Sequence, residues 1–196
     1  MLKHLATFTA LSIAGTMAVA EPLQQGIFVG ANVGYVENEE MDGLGLADSD
    51  VDYRTYELSL GYKYKNWLGV DFRFGGGFSE RDYAIDGSSN HAELGIDGIT
   101  SYYYRGEFTN EDARLYILLG ESSVDTTAAI YDDAGNQVGQ SSDDSVSGFS
   151  YGLGAGWYYD KNLSINLEYR MLIDDDDVEL STINLGLDYR FNIWKL

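Results

Sequence analysis

The densest concentration of potential chemistry in the sequence is "MLIDDDDVEL", in which Asp174, Asp175, Asp176 and Asp177 crowd four carboxylates into one tight hairpin. Hard divalent cations favour such oxygens, so calcium is the ion this run would take. Alternate residues of a strand nevertheless point apart, and the spacing of an EF-hand loop is absent. A second pattern is His91 in "GSSNHAEL", a base with the hydroxyls of Ser88 and Ser89 close by. Hydrolysis needs a base, a nucleophile and an orienting acid that meet in space, which neighbours on one loop do not supply. His91 therefore reads as a solvated loop histidine, and the chain as a non-enzyme. The segments "DGLGLADSD" and "DDAGNQVG" read as turns, with glycine supplying positive φ.

The third pattern is the most extensive. Charges recur two residues apart, as in Asp71 and Arg73, Arg105 and Glu107, Glu168 and Arg170, and Asp188 and Arg190, with Glu57, Lys63 and Arg114 in similar settings. A spacing of two puts both members of a pair on one face of a strand. The intervening positions are apolar or aromatic. In the last such stretch, "STINLGLDYRF", Ile183, Leu185, Leu187, Tyr189 and Phe191 alternate with Asn184, Gly186, Asp188 and Arg190.

Period-2 alternation recurs eight times, in "GIFVGANVGY", "TYELSLGYKY", "LGVDFRFGGGF", "SYYYRGEF", "RLYILLGES", "GFSYGLGAGWYYD", "LSINLEYRMLI" and the closing stretch. Strand lengths of about nine to eleven residues match a tilted membrane crossing. Tight turns are expected near Lys65-Asn66, Asn110-Glu111 and Asp160 to Asn162. Longer loops are expected from Val36 to Asp52, Ser79 to Asp97 and Ser123 to Val146. Short turns on one rim and long loops on the other predict an all-β fold, an eight-stranded antiparallel up-and-down transmembrane β-barrel.

Volume decides which face points out. An eight-stranded barrel holds only enough room for its own inward side chains, and ~38 large apolar residues would not fit there. The glycine-rich, charged face does fit. Charges confined in so narrow a space must pair. The expectation is therefore a lumen plugged by Glu57, Lys63, Asp71, Arg73, Arg105, Glu107, Arg114, Glu168, Arg170, Asp188 and Arg190. Ile173 is assigned to the lipid face with Met171. Aromatics crowd the short-turn rim, including Tyr62, Tyr64, Trp67, Phe108, Trp157 and Tyr159, as an interfacial girdle does.

Composition agrees. Twenty-three glycines, sixteen tyrosines, one proline and no cysteine in 196 residues suit a β-rich chain without disulfides or thiolate metal sites. A formal charge of −20 excludes nucleic acid as a partner. Residues 1–20, with Lys3, an apolar run and Ala18 and Ala20, read as a signal peptide cut before Glu21, leaving 21–196 as one barrel domain.

These residues resemble the small eight-stranded outer-membrane β-barrel family of Gram-negative bacteria, the OmpA-type and OmpX/Ail-type group. The sharpest local match is "NLGLDYRF". It looks like the family's C-terminal assembly signal, with Asn184, Gly186, Tyr189 and Phe191 at the recognised positions. The chain departs by continuing through Asn192 to Leu196, and no further domain is expected. The resemblance implies a monomer in the outer membrane, in contact with lipid and lipopolysaccharide and inserted by the barrel-assembly machinery. It implies a structural or surface-interaction role, with a narrow porin-like channel as the alternative and a lipid-modifying enzyme as a remoter one. The long-loop rim carries roughly twenty acids and almost no bases beyond Arg54 and Arg81, so divalent cations could bridge it to lipopolysaccharide phosphates; no cofactor is expected.

Overall fold

In the computed structural model the described residues are 25–38, 51–85, 88–175 and 178–191. They form β1 (Gly26–Asn38), β2 (Val51–Lys65), β3 (Leu68–Gly77), β4 (Arg81–Ala84), β5 (His91–Thr109), β6 (Ala113–Tyr131), β7 (Ser142–Tyr158), β8 (Leu163–Asp175) and β9 (Val178–Arg190). All pairings are antiparallel, and β9 returns to β1 with Tyr189 opposite Val29 and Asp188 opposite Gly30. β3 pairs with the lower part of β5, from Leu68 opposite Gly106 to Gly75 opposite Ile99, while β4 pairs with the upper part, Tyr83 opposite Ala92. β3 and β4 are thus two segments of one stave. The sheet closes as an eight-stranded barrel.

Closure satisfies every strand edge at membrane depth, the only β solution in a solvent that offers no hydrogen bonds. The tight turns are fastened by side chains. Asn110 Oδ1 accepts the amides of Asp112 at 2.9 Å and Ala113 at 2.7 Å, and Asp160 Oδ1 accepts those of Asn162 at 2.7 Å and Leu163 at 2.8 Å. Both are Asx turns, in which the short side chain takes the place of a backbone acceptor.

The other rim differs from the sequence expectation. β5 and β6 run for 19 residues each and β7 for 17, so 91–97 and 123–131 are strand, and only the segment between Tyr131 and Ser142 links β6 to β7 as a loop. Nineteen residues extend roughly 60 Å along a strand, well beyond an apolar band ~25 Å tall even when tilted. Weak alternation and many Ser, Thr and Ala residues hid these extensions. Within the connecting loop, Asp132 Oδ1 accepts the amides of Ala134 and Asn136, and Gly135 and Gly139 adopt φ of 78° and 92°, as "DDAGNQVG" anticipated. The signal segment 1–20, "DGLGLADSD", Asp176, Asp177 and Asn192 to Leu196 lie outside the described residues.

Two β-bulges change which side chains face inward. One lies between Ile96 and Gly98 of β5, the other between Met171 and Ile173 of β8. An extra residue reverses the parity of every residue beyond it. Ile173, expected on the lipid face, is consequently fully buried beside Leu172.

Candidate functional site

The interior has three layers, and the lowest one is charged. Glu57, Lys63, Asp71, Arg73, Arg105, Glu107, Arg114, Glu168, Arg170, Asp188 and Arg190 are all buried, so the alternation of β2, β3, β5, β6, β8 and β9 gathers them in one lumen. Near the tight-turn end, Glu107 receives Lys63, Arg105 Nε at 3.0 Å, Arg114 Nη1 at 3.5 Å and Arg190 Nη2 at 3.4 Å. One rung higher, Asp188 accepts Arg114 and, at 3.2 Å, Arg105 Nη2. Asp71 accepts Arg105 Nη1 at 3.1 Å and Arg73 Nη2 at 3.0 Å.

Arg73 then grips Glu168 with both terminal nitrogens, at 2.5 and 2.9 Å, the fork geometry that suits guanidinium and carboxylate. Arg170 completes the ladder by pairing with Glu57 and, through Nε at 2.9 Å, with Glu168. Asp71, Glu107, Glu168 and Asp188 each bridge cations from different strands, while Glu57 holds Arg170. Desolvated charges are costly unless so paired, so the network also ties opposite walls of the barrel together.

Three aromatics that the sequence patterns did not single out as network members complete it. Arg105 lies 4.0 Å over the Tyr116 ring and 5.0 Å over that of Phe28, and Arg73 and Arg170 flank the Tyr103 ring at 5.5 and 5.7 Å. These faces offset the excess of six cations over five carboxylates. The signal that could reveal two of them is a glycine opposite in the register, Gly154 for Tyr116 and Gly61 for Phe28. A Cβ on either glycine would land on the ring.

Above the charges lies a hydroxyl layer. Arg170 Nη1 donates to Tyr103 Oη at 3.1 Å, and Tyr103 Oη stands 2.8 Å from both Ser122 Oγ and Ser150 Oγ. Beyond it, toward the long-loop end, the lumen becomes apolar: Val36, Tyr53, Ile99, Val124, Leu172 and Ile173 are buried in a cluster that also takes in Leu94, Ile96, Tyr83 and Leu180. This collar had no counterpart in the sequence reading.

The outer wall carries the apolar set. Phe108 is 80% and Trp67 60% exposed, and Tyr62, Tyr64, Trp157, Tyr159, Tyr189 and Phe191 share that rim. A concavity of about 640 Å³ lined by Leu60, Tyr62, Val70, Phe72, Tyr102 and Tyr104 lies on this lipid-facing wall. Of the proposed assembly residues, Asn184 is buried inward, Gly186 faces Asn32 across the β1–β9 seam, and Tyr189 and Phe191 form an edge-to-face pair at 5.0 Å outside.

The remaining chemistry-bearing residues stay apart from the lumen. His91 Nε2 lies 3.7 Å from Asp82, and its ring stacks on Tyr131 at 5.8 Å, while Ser88 Oγ accepts the Asn90 amide at 3.1 Å as part of a turn. Nearby Glu93 is paired across the strands with Asp82 and hydrogen-bonded to Glu80, which raises its pKa by favouring one shared proton. Asp174 is exposed. Among the described residues, no group of three or more His, Asp or Glu side chains is arranged to hold a metal ion.

The outer membrane protein beta-barrel domain matches residues 6–191. The chain belongs to that family. Solved structures with the same fold include Ail of Yersinia pestis, at 23% identity and TM-score 0.60, covering 86% of this chain and all of that one. Ail has also been solved with the heparin analogue sucrose octasulfate, at 20% identity, TM-score 0.59 and the same coverage. Neisserial surface protein A matches at 14% identity and TM-score 0.53, covering 85% of this chain and 97% of its own. Among curated proteins none matches the sequence. Membership places the chain with barrels of the Gram-negative outer membrane and accounts for its inward charges and outward hydrocarbon together.

Proposed function

We propose that the protein is a monomeric, non-conducting outer-membrane barrel that acts through its external surface, holding an acidic, strand-built platform outside the membrane where it meets cationic partners. The observation that carries this reading is the filled lumen: a salt-bridge ladder centred on Glu107, Asp71 and Glu168, followed by the apolar collar around Ile99, Val124 and Leu172. An ion crossing it would have to displace buried pairs and then pass hydrocarbon. The platform, not the bore, is what remains to do work.

The platform's charge separates this protein from Ail as solved with a polyanionic heparin analogue. No lysine or arginine occurs between Arg114 and Lys161, a stretch that holds Glu121, Asp125, Asp132, Asp133, Asp143 and Asp144. Such a surface repels sulfated polymers and attracts bases or divalent cations that bridge it to lipopolysaccharide. Catalysis forms no part of the proposal. Export through residues 1–20 and insertion by the assembly machinery reading Asn184, Gly186, Tyr189 and Phe191 complete it.

Two measurements on the refolded protein test the reading. In planar bilayers no regular single-channel steps are expected; reproducible steps would overturn the plugged lumen. In vesicles, polylysine is expected to bind and heparin to be excluded, and the reverse order would overturn the cationic partner.

A further inference from the structure

Among the described residues, the upper part of β7 has a strand partner on one edge only. β6 pairs with it up to Ser142, opposite Ala128, but β8 joins its other side only from Tyr151, opposite Met171. Among the described residues no strand pairs with that side between Ser142 and Phe149. Natural sheets blunt such edges with lysine, proline, bulges or a covering loop. "SDDSVSGF" contains neither lysine nor proline, and its pairing to β6 is regular.

One edge group can be placed directly. The Ser145 amide donates to Asp144 Oδ1 at 2.8 Å, so it points away from β6 and toward the open side. Residues at the alternate positions share that direction. The notch where β8 departs is acidic on its far side as well. Asp174 is exposed and accepts the Tyr151 hydroxyl, Glu179 is half-buried, and Ile173 packs at the root against Gly148.

We infer that this edge is a docking site for an extended, lysine- or arginine-rich polypeptide segment, which adds to β7 as a further strand and sets its cations against Asp143 on one face of the strand, Asp144 on the other, and Asp174 at the notch. Strand addition supplies affinity through main-chain hydrogen bonds, and the flanking carboxylates select the charge of the guest. The same aspartates oppose a second copy of this chain, which would bring an identical acidic edge. They act as a filter that rejects self-pairing and admits a basic strand. The inference rests on the anionic-platform reading and narrows it to one place and one binding mode.

The test uses the full barrel in nanodiscs and the blocked peptide acetyl-Lys-Val-Lys-Val-Lys-Val-Lys-amide, beside a copy N-methylated at alternate residues that keeps every charge but cannot pair. Binding of the first peptide is expected to slow amide exchange at Ser145 and Ser147, and the methylated copy should bind about tenfold more weakly or worse. Ser145→Pro removes an edge-directed amide, with its bond to Asp144, and takes no donor from the pairing with β6. It should reproduce that loss while the barrel keeps its heat-modifiable migration. Equal binding of both peptides, or no effect of Ser145→Pro, would overturn strand addition and leave the anionic platform standing. If neither peptide binds, both readings are overturned.

Discussion

Below Tyr103 the strands turn charge inward and hydrocarbon outward, and above it β5, β6 and β8 turn hydrocarbon inward. Arg105, Glu107 and Arg114 face the lower lumen while Leu115, Ile117 and Phe108 face out. Farther up the same strands, Ile96, Ile99 and Val124 face in, while Asp97, Asp125 and Thr127 line the outside. The difference follows the solvent. In lipid the outer face must be apolar and the bore is the only place for polar groups; beyond the headgroups water lies outside, and the ordinary soluble arrangement returns. The hydroxyls of Tyr103, Ser122 and Ser150 mark the change-over.

The bulges help to make the inversion possible, and removing one is the severest way to break it. Deleting Asp97 restores regular pairing and turns Leu94 and Ile96 outward, forfeiting ~1.5–3 kcal/mol of burial for each side chain. Amide exchange should then show loss of protection from His91 to Ile96, with the lower barrel intact.

Glu107→Ala strikes the other layer. It strips four cations of a shared carboxylate and should destabilise the barrel by about 3–5 kcal/mol in urea unfolding from lipid. The collar should still block conductance, because it lies at the other end of the bore. Gly154→Ala is milder. A methyl group there meets the Tyr116 ring that Arg105 stacks on, and a cost of about 1–3 kcal/mol is expected in the same assay.

The smallest effect is local and depends on pH. Hydrogen bonds from the Asn162 and Leu163 amides hold the Asp160 carboxyl below its usual pKa. A depressed folded-state pKa stabilises the turn above the unfolded value and ceases to do so as pH falls through the folded one. Protection of those two amides should therefore persist as pH falls through the ordinary aspartate value of about 3.9 and fade only in stronger acid, with the barrel still closed.

Much of the lower barrel is legible in the sequence, because period-2 alternation is a local property and eight staves of limited bore leave only one face for the large side chains. The eleven lumenal charges were readable for that reason. Their partners were not: whether Arg73 meets Glu168 or Glu57 depends on register across strands far apart in sequence, and on the tilt of the closed sheet. The upper strands carry no such signal, because their Ser, Thr and Ala residues alternate weakly in hydropathy. Alternation alone puts Ile173 on the lipid face and the structure buries it, because a bulge is a relation between two strands, invisible in either one alone.

The sequence by itself determined the class of fold, the outward hydrocarbon, the inward charge and the acidic exterior, since each follows from residue type and a spacing of two. Tertiary structure alone decided the salt-bridge connectivity, the aromatic rings that cover the surplus cation, the apolar collar and the open edge of β7. Those depend on which strands end where, and pairing length is settled between neighbours rather than within a segment.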